Sequence, residues 1–87
     1  MKNKVLVKLI IPELDTTFDV FVPVNEVMWK AKKLITKSIF DLTGGAIDME
    51  KEYVLINKNT GQCYDNNTIL YDTDIRNATE LLFLEEK

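Results

Sequence analysis

Histidine is absent from this 87-residue chain, and cysteine occurs once, at Cys63. Without an imidazole there is no ordinary side chain to act as a general base or proton shuttle near neutral pH, and Cys63 has no histidine partner to activate its thiol. A lone cysteine excludes an intrachain disulfide, and a Cys/His metal cluster lacks its ligands. The pairs Asp72/Asp74 and Asp48/Glu50 fall short of the ligand number and spacing of a calcium loop. Glycine is scarce too: Gly44-Gly45 is the only pair, without the flanking glycine and lysine of a phosphate-cradling loop. No apolar run approaches the roughly 18 residues of a membrane span, and Met1-Lys2-Asn3-Lys4 leads straight into alternating residues rather than a signal peptide. These absences predict a cytoplasmic protein that is not an enzyme, with no catalytic residue, no bound metal and no cofactor. The Asn-x-Thr matches at Asn66 and Asn77 then read as turn sequences.

What remains is a chain with 46% apolar residues, enough for one small core and a single domain over residues 1–87. Its net charge of −3 argues against a dedicated nucleic-acid binder. The charge is uneven. Residues 24–43 hold four lysines against Glu26 and Asp41, whereas residues 44–87 hold four basic and nine acidic side chains. A weakly basic helix on an acidic body is the expected arrangement.

Hydrophobic periodicity supplies the order of elements. Val5, Val7, Leu9 and Ile11 alternate along a first strand over residues 4–11, and Pro12-Glu13-Leu14-Asp15 breaks it into a turn. Phe18, Val20 and Val22 line one face of the returning strand, which Pro23 stops because it offers no N–H to a ladder. From residue 26 to about 42 the period changes to near 3.6, with Val27, Ala31, Leu34, Ile35, Ser38 and Leu42 on one stripe, Asn25 as N-cap and Gly44-Gly45 as the stop. A third strand is expected over residues 52–57, a short fourth over 62–64, and a final apolar one over 80–84. Leu70 and Ile75 are isolated apolar anchors in the connection before it.

This order predicts an α+β domain of the β-grasp, ubiquitin-like type: a mixed five-stranded sheet with one helix across its concave face, the first and last strands parallel at its centre. The run from Thr68 to Leu84 resembles the last third of ubiquitin, but the chain ends Glu85-Glu86-Lys87 in place of a Gly-Gly tail. The resemblance therefore implies ubiquitin's shape without covalent conjugation. Phe18-Asp19-Val20-Phe21-Val22-Pro23, the helix, Leu55-Ile56-Asn57-Lys58 and the ending from Leu70 to Leu84 together resemble the YukD/EsaB group. These are small tail-less ubiquitin-like proteins associated with type VII (WXG100) secretion in Gram-positive bacteria. Two departures are Asn77-Ala78-Thr79, where relatives often carry a Gly-Asp turn, and a longer connection over residues 44–51.

The unusual feature is the face turned away from the helix. If the residues named on the first two strands point inward, alternation forces Leu6, Ile10, Phe21, Val54, Ile56, Leu82 and Leu84 outward, with only Lys4, Lys8 and Asp19 as polar relief. Such a face predicts a protein interface centred on Leu6, Ile56 and Leu82. On ubiquitin the comparable face is the principal partner surface, so the resemblance implies the same location. Trp29 with Lys33 on the helix is a secondary interface candidate, and Phe40, eleven residues beyond Trp29, projects the same way but is expected under the following linker. The sequence thus predicts an adaptor that docks a protein partner or a second copy of itself. The resemblance implies a component of the type VII secretion machinery as that partner. A small regulatory subunit of an enzyme complex is the alternative.

Overall fold

In the computed structural model, which describes residues 3–86, a four-stranded sheet carries one helix across its inner face. Strand β1 (Lys4–Ile11) turns through a single 3-10 turn at Pro12–Leu14 and a left-handed Asp15 into β2 (Thr16–Pro23). Helix α1 (Met28–Leu42) follows, then β3 (Tyr53–Asn57), a second 3-10 turn at Leu70–Asp72, and β4 (Glu80–Glu85). The sheet order is β2-β1-β4-β3, with β1 and β4 parallel at the centre and both outer pairs antiparallel.

The five-stranded expectation is corrected to four strands. The 62–64 segment makes one isolated bridge, Cys63 to Ile56, together with the Asn57 N–H donating to the Gln62 carbonyl at 2.9 Å. The Asn57 side chain explains why the segment turns so soon after β3. Its Oδ1 accepts the N–H groups of Asn59 at 2.9 Å and Thr60 at 3.3 Å, folding the chain back after only five strand residues.

Alternation places the core as expected on the strands. Val7, Leu9, Ile11, Val20, Val22, Leu55, Leu81 and Phe83 are buried, with Val5 and Phe18 packed at its margin. Tyr53 stacks on Phe83 with ring centroids 4.4 Å apart, and the Tyr53 hydroxyl reaches the Asp48 carbonyl at 2.9 Å, so an aromatic end is buried without an orphaned donor. Leu70 and Ile75 are both buried, pinning the long connection to the core.

The helix differs from its expected orientation. Met28, Ala31, Ile35, Thr36 and Ile39 face the sheet, whereas Leu34 and Leu42 are exposed, Ser38 is exposed as well, and the stripe is rotated by about one residue. Its start also differs. Asn25 does not cap it; the cap position is Val27, with no side-chain bond. Instead the first two free N–H groups, of Met28 and Trp29, donate to the carbonyls of Thr68 at 2.8 Å and Asn66 at 3.1 Å. At the other end Gly44 has φ +66° and Gly45 φ +88°, and Gly45 N–H closes on the Phe40 carbonyl at 2.8 Å, a Schellman stop that a residue with a Cβ enters only with strain. The half-buried Phe40 ring lies beside Gly45, just ahead of the 46–51 linker under which it was expected.

Candidate docking interface

Beyond the Lys4–Pro23 pair at one end, the strand registers define four rows across the outer face of the sheet. The first pairs Phe21 on β2 with Leu6 on β1, both exposed. The second runs Asp19, Lys8, Glu80 and on to Lys58, just past β3. The third runs Thr17, Ile10, Leu82 and Ile56, and the fourth pairs Leu84 with Val54. All seven residues expected outward therefore lie on the outer face, but they do not form one patch.

The second row divides them. It alternates in sign across the sheet, so each charge has an opposite neighbour, and the Lys58 ammonium lies 3.8 Å from the Glu80 carboxylate. Leu6 and Phe21 lie on one side of this charged row. Leu6 sits beside the 77–78 turn, where Asn77 Oδ1 accepts its N–H at 2.9 Å and its carbonyl accepts the Ala78 N–H at 2.7 Å. Ile10, Leu82, Ile56, Leu84 and Val54 lie on the other, each half-buried by its neighbours in the sheet. The centre of the apolar surface is thus the Ile10–Leu82–Ile56 row. Leu6, expected at that centre, belongs to a separate two-residue patch because it lies four residues from Ile10 along β1 with Lys8 between them.

This geometry can hold a flat apolar partner surface bordered by a line of alternating charges. Half-buried aliphatic side chains in a rigid sheet lose little conformational freedom on docking, which favours them as contact residues. Sequence reasoning found every member of the apolar surface. Glu80 takes its place in the charged row from the parallel β1–β4 register and Lys58 from the end of the antiparallel β3–β4 ladder, neither of which alternation along a single strand reveals.

The helix candidate is separate from the sheet. Trp29 is 42% exposed, with the ammonium groups of Lys30 and Lys33 at 5.5 and 5.4 Å from its ring. Two of the four helix lysines thus lie over the aromatic ring expected to project outward. Cys63 is exposed, and among the described residues no three Cys, Asp or Glu side chains are grouped to hold a metal ion. No helix among them is long and apolar enough to cross a membrane.

No protein-family model and no curated protein sequence matches the chain. Its likeness is to solved structures. The ubiquitin-like domain of EccD5 from Mycobacterium xenopi superposes with a TM-score of 0.76 at 12% identity, covering 97% of this chain and 96% of that one. The ubiquitin-like domain of the Mycobacterium tuberculosis type VII secretion system protein ECCD1 gives 0.72 at 10% identity, over 93% and 97%. A chain of the MycP5-free ESX-5 inner membrane complex gives 0.73 at 16%; it covers 97% of this chain, which spans only 21% of the ESX-5 chain. A chain of the toluene 4-monooxygenase HD complex gives 0.71 at 8%, over 95% and 99%. At these identities the likeness establishes a ubiquitin-like fold, shared with domains of type VII secretion proteins.

Proposed function

We propose that this chain is a ubiquitin-shaped adaptor of type VII secretion that docks noncovalently, through the Ile10–Leu82–Ile56 row and the adjoining Leu84 and Val54, onto a protein component of the secretion machinery. The observation that carries the docking surface is the row itself. A sheet with one solvated face alternates apolar with polar residues, yet here three neighbouring strands each present an aliphatic side chain at the same level of the outer face. The secretion link is supported by the sequence resemblance to the YukD/EsaB group and by the fold shared with EccD5 and ECCD1 domains.

The charged row on one flank gives the surface direction. A partner seated on the aliphatic row meets Asp19, Lys8, Glu80 and Lys58 along one edge only, which fixes its orientation more than its affinity. Leu6 and Phe21 lie beyond that edge and serve as a peripheral contact.

A second reading, a small subunit of an enzyme complex, is favoured by the likeness to a chain of the toluene 4-monooxygenase complex. Both readings use the fold as a docking module; they differ in the partner. Purification of the tagged protein from its own organism, beside Leu82→Asp, with mass spectrometry of what co-purifies, separates them. Secretion-machinery proteins retained by the wild type and lost with Leu82→Asp support the adaptor. An enzyme in their place supports the second reading, a covalent adduct contradicts noncovalent docking, and recovery of only its own chain points to self-association.

A further inference from the structure

A second surface lies beside the helix, at the β3 edge of the sheet. An open groove of about 680 Å³ runs between α1 and the segment leading into β3. Trp29 forms part of its helix wall and Met49 part of the facing wall, both well exposed, and the buried Tyr53 forms its floor. That floor is fixed: Tyr53 is held by its stack on Phe83 and its hydrogen bond to the Asp48 carbonyl.

The groove is positive in a molecule of net charge −3. Lys32, Lys33, Lys37 and Lys51 line it, against Glu52 alone. Lys37 is paired with Asp41 at 3.2 Å and Lys51 with Glu85 at 3.3 Å. The other two have no carboxylate partner among the described residues. Lys32 donates to the Tyr53 carbonyl at 3.3 Å, and Lys33 rests over the Trp29 ring. An apolar slot between Trp29 and Met49, flanked by two cations without counter-charges, is complementary to an anion that also carries a large apolar group.

We propose that this groove binds an acidic peptide segment of a partner protein, with an aromatic or long aliphatic side chain seated between Trp29 and Met49 and neighbouring carboxylates on Lys32 and Lys33. The site is independent of the outer sheet face, so one chain can engage two partner elements at once. A buried anchor residue supplies the affinity, and the lysines exclude basic segments and speed the encounter.

Selection of a random peptide display library on the intact domain tests this directly. The expected winners carry at least two Asp or Glu within three positions of a Phe, Trp, Leu or Met. A synthesised winner should shift the fluorescence of Trp29, the chain's only tryptophan. Its affinity should fall at least tenfold in Lys33→Glu/Lys37→Glu and also weaken as salt is raised from 50 to 500 mM, because the attraction is screened. Both substituted lysines are exposed, so the variant, which loses the Lys37–Asp41 pair, should stay folded and melt only slightly below the wild type, and Leu82→Asp should bind the peptide normally. Winners without acidic bias, no enrichment, or binding unmoved by the charge reversal would overturn the proposal. So would concentration-dependent self-association abolished by the same reversal, which would make a second copy the occupant.

Discussion

Leu82 faces Ile56 across the β3–β4 ladder on the outer surface of the sheet, while its neighbour Leu81 faces Asn57 on the inner side. One step along a strand thus separates a candidate contact residue from a core residue that is 1% exposed.

That step has a measurable consequence. Leu81→Ala opens a cavity beneath the helix and should cost about 2–5 kcal/mol, whereas Leu82→Ala, half-buried at the surface, should cost about 1 kcal/mol. Urea denaturation of the two variants checks this. Equal losses would mean that the two faces are not distinct.

The orientation of α1 makes a second contrast between adjacent residues. Ile35→Ala should cost about 3 kcal/mol because Ile35 is sealed against the sheet, and Leu34→Ala less than about 0.5 kcal/mol because Leu34 is half exposed. Reversal of that order in thermal or chemical denaturation would restore the stripe through Leu34 and Leu42.

The charged row depends on its alternation. Lys8→Glu places a third carboxylate between Asp19 and Glu80 and should destabilise the domain by about 0.5–1 kcal/mol, a loss that shrinks in high salt. Unfolding measured at 20 mM and 500 mM sodium chloride reads both effects. No loss at low salt would show that the row carries no energetic alternation.

Alkaline pH acts through Tyr64. Burial, and then its hydroxyl's 2.6 Å hydrogen bond to Asp74 Oδ1, push its pKa up to about 12, against about 10 for an ordinary tyrosine. Since the folded state favours the protonated form, this contribution is complete below pH 10 and is lost as pH rises toward 12. Absorbance at 295 nm should show a tyrosine titrating near 12 in the folded wild type that is lost in Tyr64→Phe, whose stability should fall less steeply over the same range. A Tyr64 transition near 10 would contradict the hydrogen-bonded, shielded site.

The parts of the fold carried by strand alternation were legible, because a period of two leaves each residue only two choices and the apolar run from Leu81 to Leu84 marks a central strand. The helix orientation was not. Ala31 and Ile35 belong to both the expected and the observed stripe, and the choice between Leu34 and Ile39 is made by packing against the sheet. Its start was hidden for a different reason: the groups that cap it are backbone carbonyls of residues 66 and 68, nearly forty positions away. The same limit governs the docking surface. All seven outward residues follow from alternation, but the division of that face by Asp19, Lys8, Glu80 and Lys58 needs the strand register.

Photo-crosslinking in the native organism tests the central claim most directly, with p-benzoylphenylalanine placed by Ile56→p-benzoylphenylalanine on the outer sheet face and by Leu42→p-benzoylphenylalanine on the exposed back of the helix. A crosslink to a type VII secretion component is expected from position 56 and not from position 42. A crosslink to that component from position 42 alone, or none to it from position 56, would contradict docking through the Ile10–Leu82–Ile56 row.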